Sequence, residues 1–114
     1  MDDISSKRVS DFDELFNDEI IGKRKLINVY APYGENPHRA SYIYKDIEID
    51  DGKLVVKIDI VKAGEVIDRK MVNNIDGLSD ETKKNIEDSI STRIKYDYKK
   101  YLTDDNVRFE FTYK

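Results

Sequence analysis

The sequence predicts an α+β domain of two layers. A mainly antiparallel sheet of about five strands lies on one side, with one long helix over residues 80–102 across its face and a short helix near the N-terminus. Three observations carry this. Asp51-Gly52 separates two apolar-alternating runs, Ile86, Ile90 and Ile94 recur at helical spacing, and the final segment VRFEFTYK alternates without a fault.

Residues 1–9 read as a flexible lead-in, and residues 10–114 as a single α+β domain. Ser10 is a candidate N-cap for DFDELFNDEII, with Asp11, Asp13 and Glu14 in the first turn, where the positive end of the helix dipole favours them. Phe12, Leu15, Phe16 and Ile20 give that helix one apolar stripe, and Gly22 ends it. KLINVYA, residues 25–31, reads as a strand. PYGENPHR, residues 32–39, reads as a loop holding both prolines and the only histidine.

Strands over 40–50 and 53–61 flank the Asp-Gly turn. A two-residue loop pairs positions whose numbers sum to 103, so Ile49 faces Leu54, Ile47 faces Val56 and Ile43 faces Ile60. On the other side Asp50 meets Lys53 and Asp46 meets Lys57, opposite charges directly across the ladder. The same register sends Tyr42 and Tyr44 to the outer face, where Tyr42, Val61 and Val66 form an apolar patch that the first helix is expected to cover. KAGE, residues 62–65, reads as the next turn, its four-residue loop pairing Asp59 with Lys70, and a strand follows from Val66 to Val72. Ser79 caps the long helix, with Asp80 and Glu81 in its first turn. That helix would span roughly 35 Å at 1.5 Å per residue.

Its end, RIKYDYKKYL, divides on a helical wheel. Tyr98, Tyr101 and Leu102 continue the isoleucine band into the core, whereas Tyr96 points away with Arg93, Lys99 and Lys100 beside it. An aromatic among basic side chains suits an acidic or phosphate-bearing partner, although a solvated outer helix face has the same composition. A second candidate group, Tyr33, His38 and Arg39, falls in the loop.

Composition narrows the function classes. A net charge of −4 has the wrong sign for a general nucleic-acid binder, although residues 93–100 concentrate Arg93, Lys95, Lys99 and Lys100 against Asp97 alone. The N-terminal segment is acidic, so two opposite charge poles are expected if the fold keeps the two segments apart. With no cysteine there is no disulfide framework, thiolate nucleophile or cysteine-based zinc site. No leader or membrane-length apolar run occurs, and a cytoplasmic location without membrane contact is the expectation. Isoleucine outnumbers leucine fourteen to five and lysine outnumbers arginine fourteen to six, the bias of an AT-rich genome.

A phosphodiester-cleaving site of His, Arg and Tyr would need a second base at defined spacing, and none is evident. Asp46, Glu48 and Asp50 lie along a strand face opposite lysines and lack the closing glutamate of a calcium loop. No glycine-rich phosphate loop is present. The expectation is therefore a non-catalytic module with no cofactor and no metal, which binds another protein and occludes its surface, as inhibitors and accessory factors of phages and mobile elements do. Binding of nucleic acid through the basic helix face, and a small enzyme using the His/Arg/Tyr loop, are the alternatives.

Overall fold

The computed structural model describes residues 3–30 and 34–114. Helix α1 (Asp3–Ile20) leads into β1 (Arg24–Val29), the long strands β2 (His38–Asp50) and β3 (Lys53–Ile67), and the short β4 (Lys70–Asn73). Helix α2 (Asp80–Asp97) then crosses to β5 (Val107–Tyr113). The sheet runs β1-β2-β3-β4 by antiparallel neighbours, and β5 joins the opposite half of β3 in parallel. A parallel neighbour requires a crossover, which α2 supplies. This is the predicted two-layer α+β architecture.

The Asp-Gly hairpin forms as read. Asp51 and Gly52 both take positive φ, 52° and 76°, and the pairs Ile49–Leu54, Ile47–Val56, Asp50–Lys53 and Asp46–Lys57 are all present. The register then shifts, because Lys45 bulges from β2 and Ile43 meets Asp59 where Ile60 was expected. Val61 bulges from β3 and restores the original sum from Ser41–Lys62 onward. One inserted residue reverses the facing of all that follow it on its strand. Tyr42 and Tyr44 consequently turn inward, each only 3% exposed, and the expected outer patch of Tyr42, Val61 and Val66 does not form.

The predicted turn at residues 62–65 is also absent. β3 runs through it to Ile67 and reverses at Asp68 and Arg69, both at positive φ. Asp59 therefore does not pair with Lys70, whose partner is Ile67. Gly64 stands inside the strand opposite Asn73, where an added Cβ would collide with the Val72 carbonyl.

Helix α1 begins at Asp3, well upstream of Ser10, so residues 3–9 of the expected lead-in are helical and Val9 is buried. In α2 the Ser79 cap is confirmed, its Oγ accepting from the Thr82 N–H at 3.1 Å. The regular helix closes at Asp97, sooner than the wheel suggests, and a hydrogen-bonded turn carries the chain to Leu102. The Tyr101 and Leu102 N–H groups both donate to the Tyr98 carbonyl.

One core lies between the helices and one face of the sheet. Ile86, Ile90 and Ile94 are fully buried, each contributing roughly 2 kcal/mol of apolar transfer. They meet Leu54, Ile58 and Ile60 of β3, with Tyr42, Tyr44 and Ile47 of β2 alongside. Phe12 and Phe16 of α1 pack edge-on or tilted at 5.0–5.5 Å against Tyr98 and Tyr101, apart from Phe12–Tyr101 at 6.2 Å. The two tyrosines assigned to packing therefore fasten α1 to the end of α2.

Candidate functional site

Two of the predicted binding residues come together in a cleft of about 760 Å³ between β1 and α2, with Arg93 and Tyr96 on the helix side and Leu26, Ile27 and Tyr30 on the strand side. The β1 side follows from the topology. Residues 24–29 pair with residues 38–43 of β2, and among the described residues no strand lies on the other edge. An edge strand carries main-chain N–H and C=O groups that no ladder uses. Here they adjoin exposed apolar side chains, since Leu26 is 67% exposed, Tyr30 87% and Tyr96 67%.

The helix side is set by the three-residue advance from Arg93 to Tyr96, which keeps both off the buried isoleucine band. Arg93 Nε lies 3.3 Å from an Asp97 carboxylate oxygen, one helical turn on. Lys99 places its ammonium 5.2 Å from the centre of the Tyr96 ring, a cation–π contact. Lys99 and Lys100 lie beyond the last helical residue, both exposed, and of the two Lys99 reaches Tyr96 from the turn. Tyr42 lines the cleft, and burial raises its phenol above the ordinary value. Asp88 and Asp97 line it too, so the cleft is mixed in charge and not a basic groove.

The second group is not assembled. His38 and Arg39 are the first residues of β2, not loop residues, and neighbours on a strand point to opposite faces. Arg39 Nε donates to Asn28 Oδ1 at 2.9 Å, which fastens β1 to β2. His38 pairs with Glu65 and borders a different cleft beside Ser79 and Thr82. Tyr33 lies outside the described residues.

Leu26 and Tyr30 were missed by sequence reading. Their signal was faint: KLINVYA keeps an apolar residue at almost every position, as a strand between two layers would, and only the topology shows that it is an edge. Elsewhere several polar side chains are committed to structure. Asn106 is buried, with Oδ1 accepting from the Thr103 N–H at 2.7 Å and Nδ2 donating to the Tyr101 carbonyl at 2.8 Å. The Tyr113 hydroxyl donates to Glu87 at 2.6 Å, and burial with this bond raises its pKa. Lys95 meets Asp104 at 2.6 Å and holds that carboxyl below its usual range. Among the described residues no group of three or more His, Cys, Asp or Glu side chains is placed to hold a metal ion. No described helix is long and apolar enough to cross a membrane.

Compared with protein-family models, curated proteins and solved structures, the chain matches none of them.

Proposed function

We propose that the protein is a non-catalytic binding module which takes an extended segment of another protein onto the free edge of β1, in the manner of strand addition. The observation that supports this reading is the coincidence, on one cleft, of an unpaired strand edge with the exposed side chains Leu26, Tyr30 and Tyr96. Main-chain groups of β1 supply hydrogen bonds that any extended chain can match. Tyr96, with Lys99 over its ring, gives an aromatic surface beside them at low entropic cost, because a tyrosine side chain has only two χ angles to fix. Covering a segment of the partner in this way acts by occlusion, the mode of an inhibitor or accessory factor.

The test is selection of peptides from a random displayed library against the intact protein, followed by nitrogen–proton correlation spectra of a labelled sample. Expected are shifts concentrated in residues 24–30 and 88–97, and at least a tenfold loss of affinity in Leu26→Asp and in Tyr96→Ala. Peptides that bind both variants at full strength, or shifts confined to the His38 side, would refute it.

A second reading, single-stranded nucleic acid stacked on Tyr96, draws on the same Lys99 contact and on Lys100. Asp88 and Asp97 in the cleft and the net charge of −4 weigh against it. It requires retention on heparin that falls steeply with salt and disappears when Lys99 and Lys100 are both changed to Glu.

A further inference from the structure

The sheet has a second free edge. β5 pairs with β3 along one side, and among the described residues no strand lies on the other. Natural edge strands are blunted above all by lysine, and by proline, bulges, short length or other charged side chains, of which β5 carries Arg108 and Glu110, one of each sign. β5 has none of the first three within its seven residues, VRFEFTY, and its register with β3 is unbroken. Phe109 and Phe111 remain half-buried on the helix-facing side, their rings stacked 6.3 Å apart. On the opposite side Arg108 and Glu110 are exposed, and Arg108 reaches both Glu110 at 3.3 Å and Asp50 at 3.6 Å.

We propose that a second copy of this chain pairs antiparallel along β5, with the two-fold axis passing through Phe109, so that the two sheets run on as one. A two-fold pairing of a strand with itself keeps inward residues opposite inward ones only when it centres on a residue, so the registers can be compared by their charges. Centred on Phe109, Arg108 of each copy faces Glu110 of the other, Val107 faces Phe111, and the two Phe109 rings meet. Centred on Glu110, two carboxylates oppose each other. Centred on Phe111, Arg108 faces Lys114. Centred on Thr112, Glu110 faces Lys114, but Arg108 has no residue opposite and Val107–Phe109 stay uncovered. The Phe109 register alone satisfies both charged residues and covers both phenylalanines.

The assay is molar mass by light scattering and sedimentation equilibrium over a concentration series. The expected result is a reversible shift toward twice the chain mass of 13.4 kDa. Arg108→Glu and Glu110→Arg should each weaken the dimer at least tenfold, and the double exchange should restore it, because the opposite charges are then again across the ladder. Both positions are exposed, and circular dichroism checks that the variants fold. Because the chain has no cysteine, thiol crosslinking provides an independent readout. Phe109→Cys should give a covalent dimer with a short thiol-to-thiol crosslinker, since its own copy lies directly opposite across the ladder, whereas Thr112→Cys, displaced several residues along the strand from its own copy, should not. A monomer at every concentration, unaltered association in Arg108→Glu, or crosslinking of the Thr112→Cys variant instead would each overturn the proposal.

Discussion

Replacing Gly64 by alanine should destabilise the protein far more than a glycine in a turn would suggest. An ideal Cβ at this position collides with the Val72 carbonyl oxygen and comes to 2.8 Å from its carbon and 3.1 Å from the Asn74 nitrogen, all of them backbone atoms. They yield only if β4 moves away from β3. Gly64 lies beside two bonds that such a movement strains, Asn74 N–H to the Ala63 carbonyl at 2.8 Å and Ala63 N–H to Asn73 Oδ1 at 3.0 Å. With the adjoining ladder bonds, each worth about 1 kcal/mol net, the cost comes to roughly 2–4 kcal/mol. Urea unfolding should show it as a midpoint lowered by about 1–2 M, given a slope of roughly 1–3 kcal/mol per M. Gly52 is the control, because there the difficulty is a φ of 76° and nothing lies within 4 Å of an added Cβ. Gly52→Ala should cost only about 1–2 kcal/mol. Asparagine, which tolerates positive φ, should recover much of that at position 52 and nothing at position 64. A Gly64→Ala midpoint equal to wild type, or rescue of position 64 by asparagine, would refute the close-approach argument.

Ile90→Ala should cost about 2–5 kcal/mol in chemical denaturation as a large-to-small change at a fully buried site, while Tyr96→Ala, 67% exposed, should leave the midpoint nearly unchanged. Asn106→Ala should cost roughly 2–3 kcal/mol, because the Thr103 N–H and the Tyr101 carbonyl both lose their partner in a buried turn, and thermal unfolding will show whether it does. Stability should fall at alkaline pH. Burial raises the Tyr42 and Tyr44 phenols above the ordinary value of 10.0, so the stabilisation is complete below about pH 10, where both states are protonated. Above that the unfolded chain ionises first, and each phenol removes about 1.4 kcal/mol per pH unit until its folded pKa is passed. Urea midpoints in wild type and in a Tyr42→Phe/Tyr44→Phe variant should diverge above pH 10, and parallel curves would contradict the assignment.

Features governed by local chemistry were legible from the residues alone. Asp51-Gly52 reads as a hairpin because both central positions need positive φ, and Ser79 reads as a cap because its hydroxyl accepts from Thr82. What escaped was governed by neighbours. The Lys45 bulge is invisible in a sequence where apolar residues occupy both parities of β2, and it decides where two tyrosines go. Asp68-Arg69 turns without a glycine, while the glycine that suggested a turn marks a close strand approach. At the candidate site the helical side, Arg93 and Tyr96, followed from the wheel. The strand side did not, because whether β1 is an edge depends on the order of the whole sheet. His38 and Arg39 were misplaced because the prolines before them made the loop look longer than it is.

The parallel placement of β5 bears on how the chain reaches this state. The β2–β3 hairpin closes over a two-residue loop and can zip from Asp51-Gly52 in microseconds. β5 must find the other side of β3 across a gap of 53 residues, from Leu54 to Val107 (107 − 54 = 53). Bringing such distant points together costs about 3.5 kcal/mol of chain entropy from the length-dependent part alone, before any β5 contact repays it. Folding is thus expected to be two-tempo, with the β2–β3 hairpin setting the rate-limiting nucleus and the last strand arriving after the barrier. Substitutions confined to β5 should then change the unfolding rate and leave the refolding rate nearly untouched.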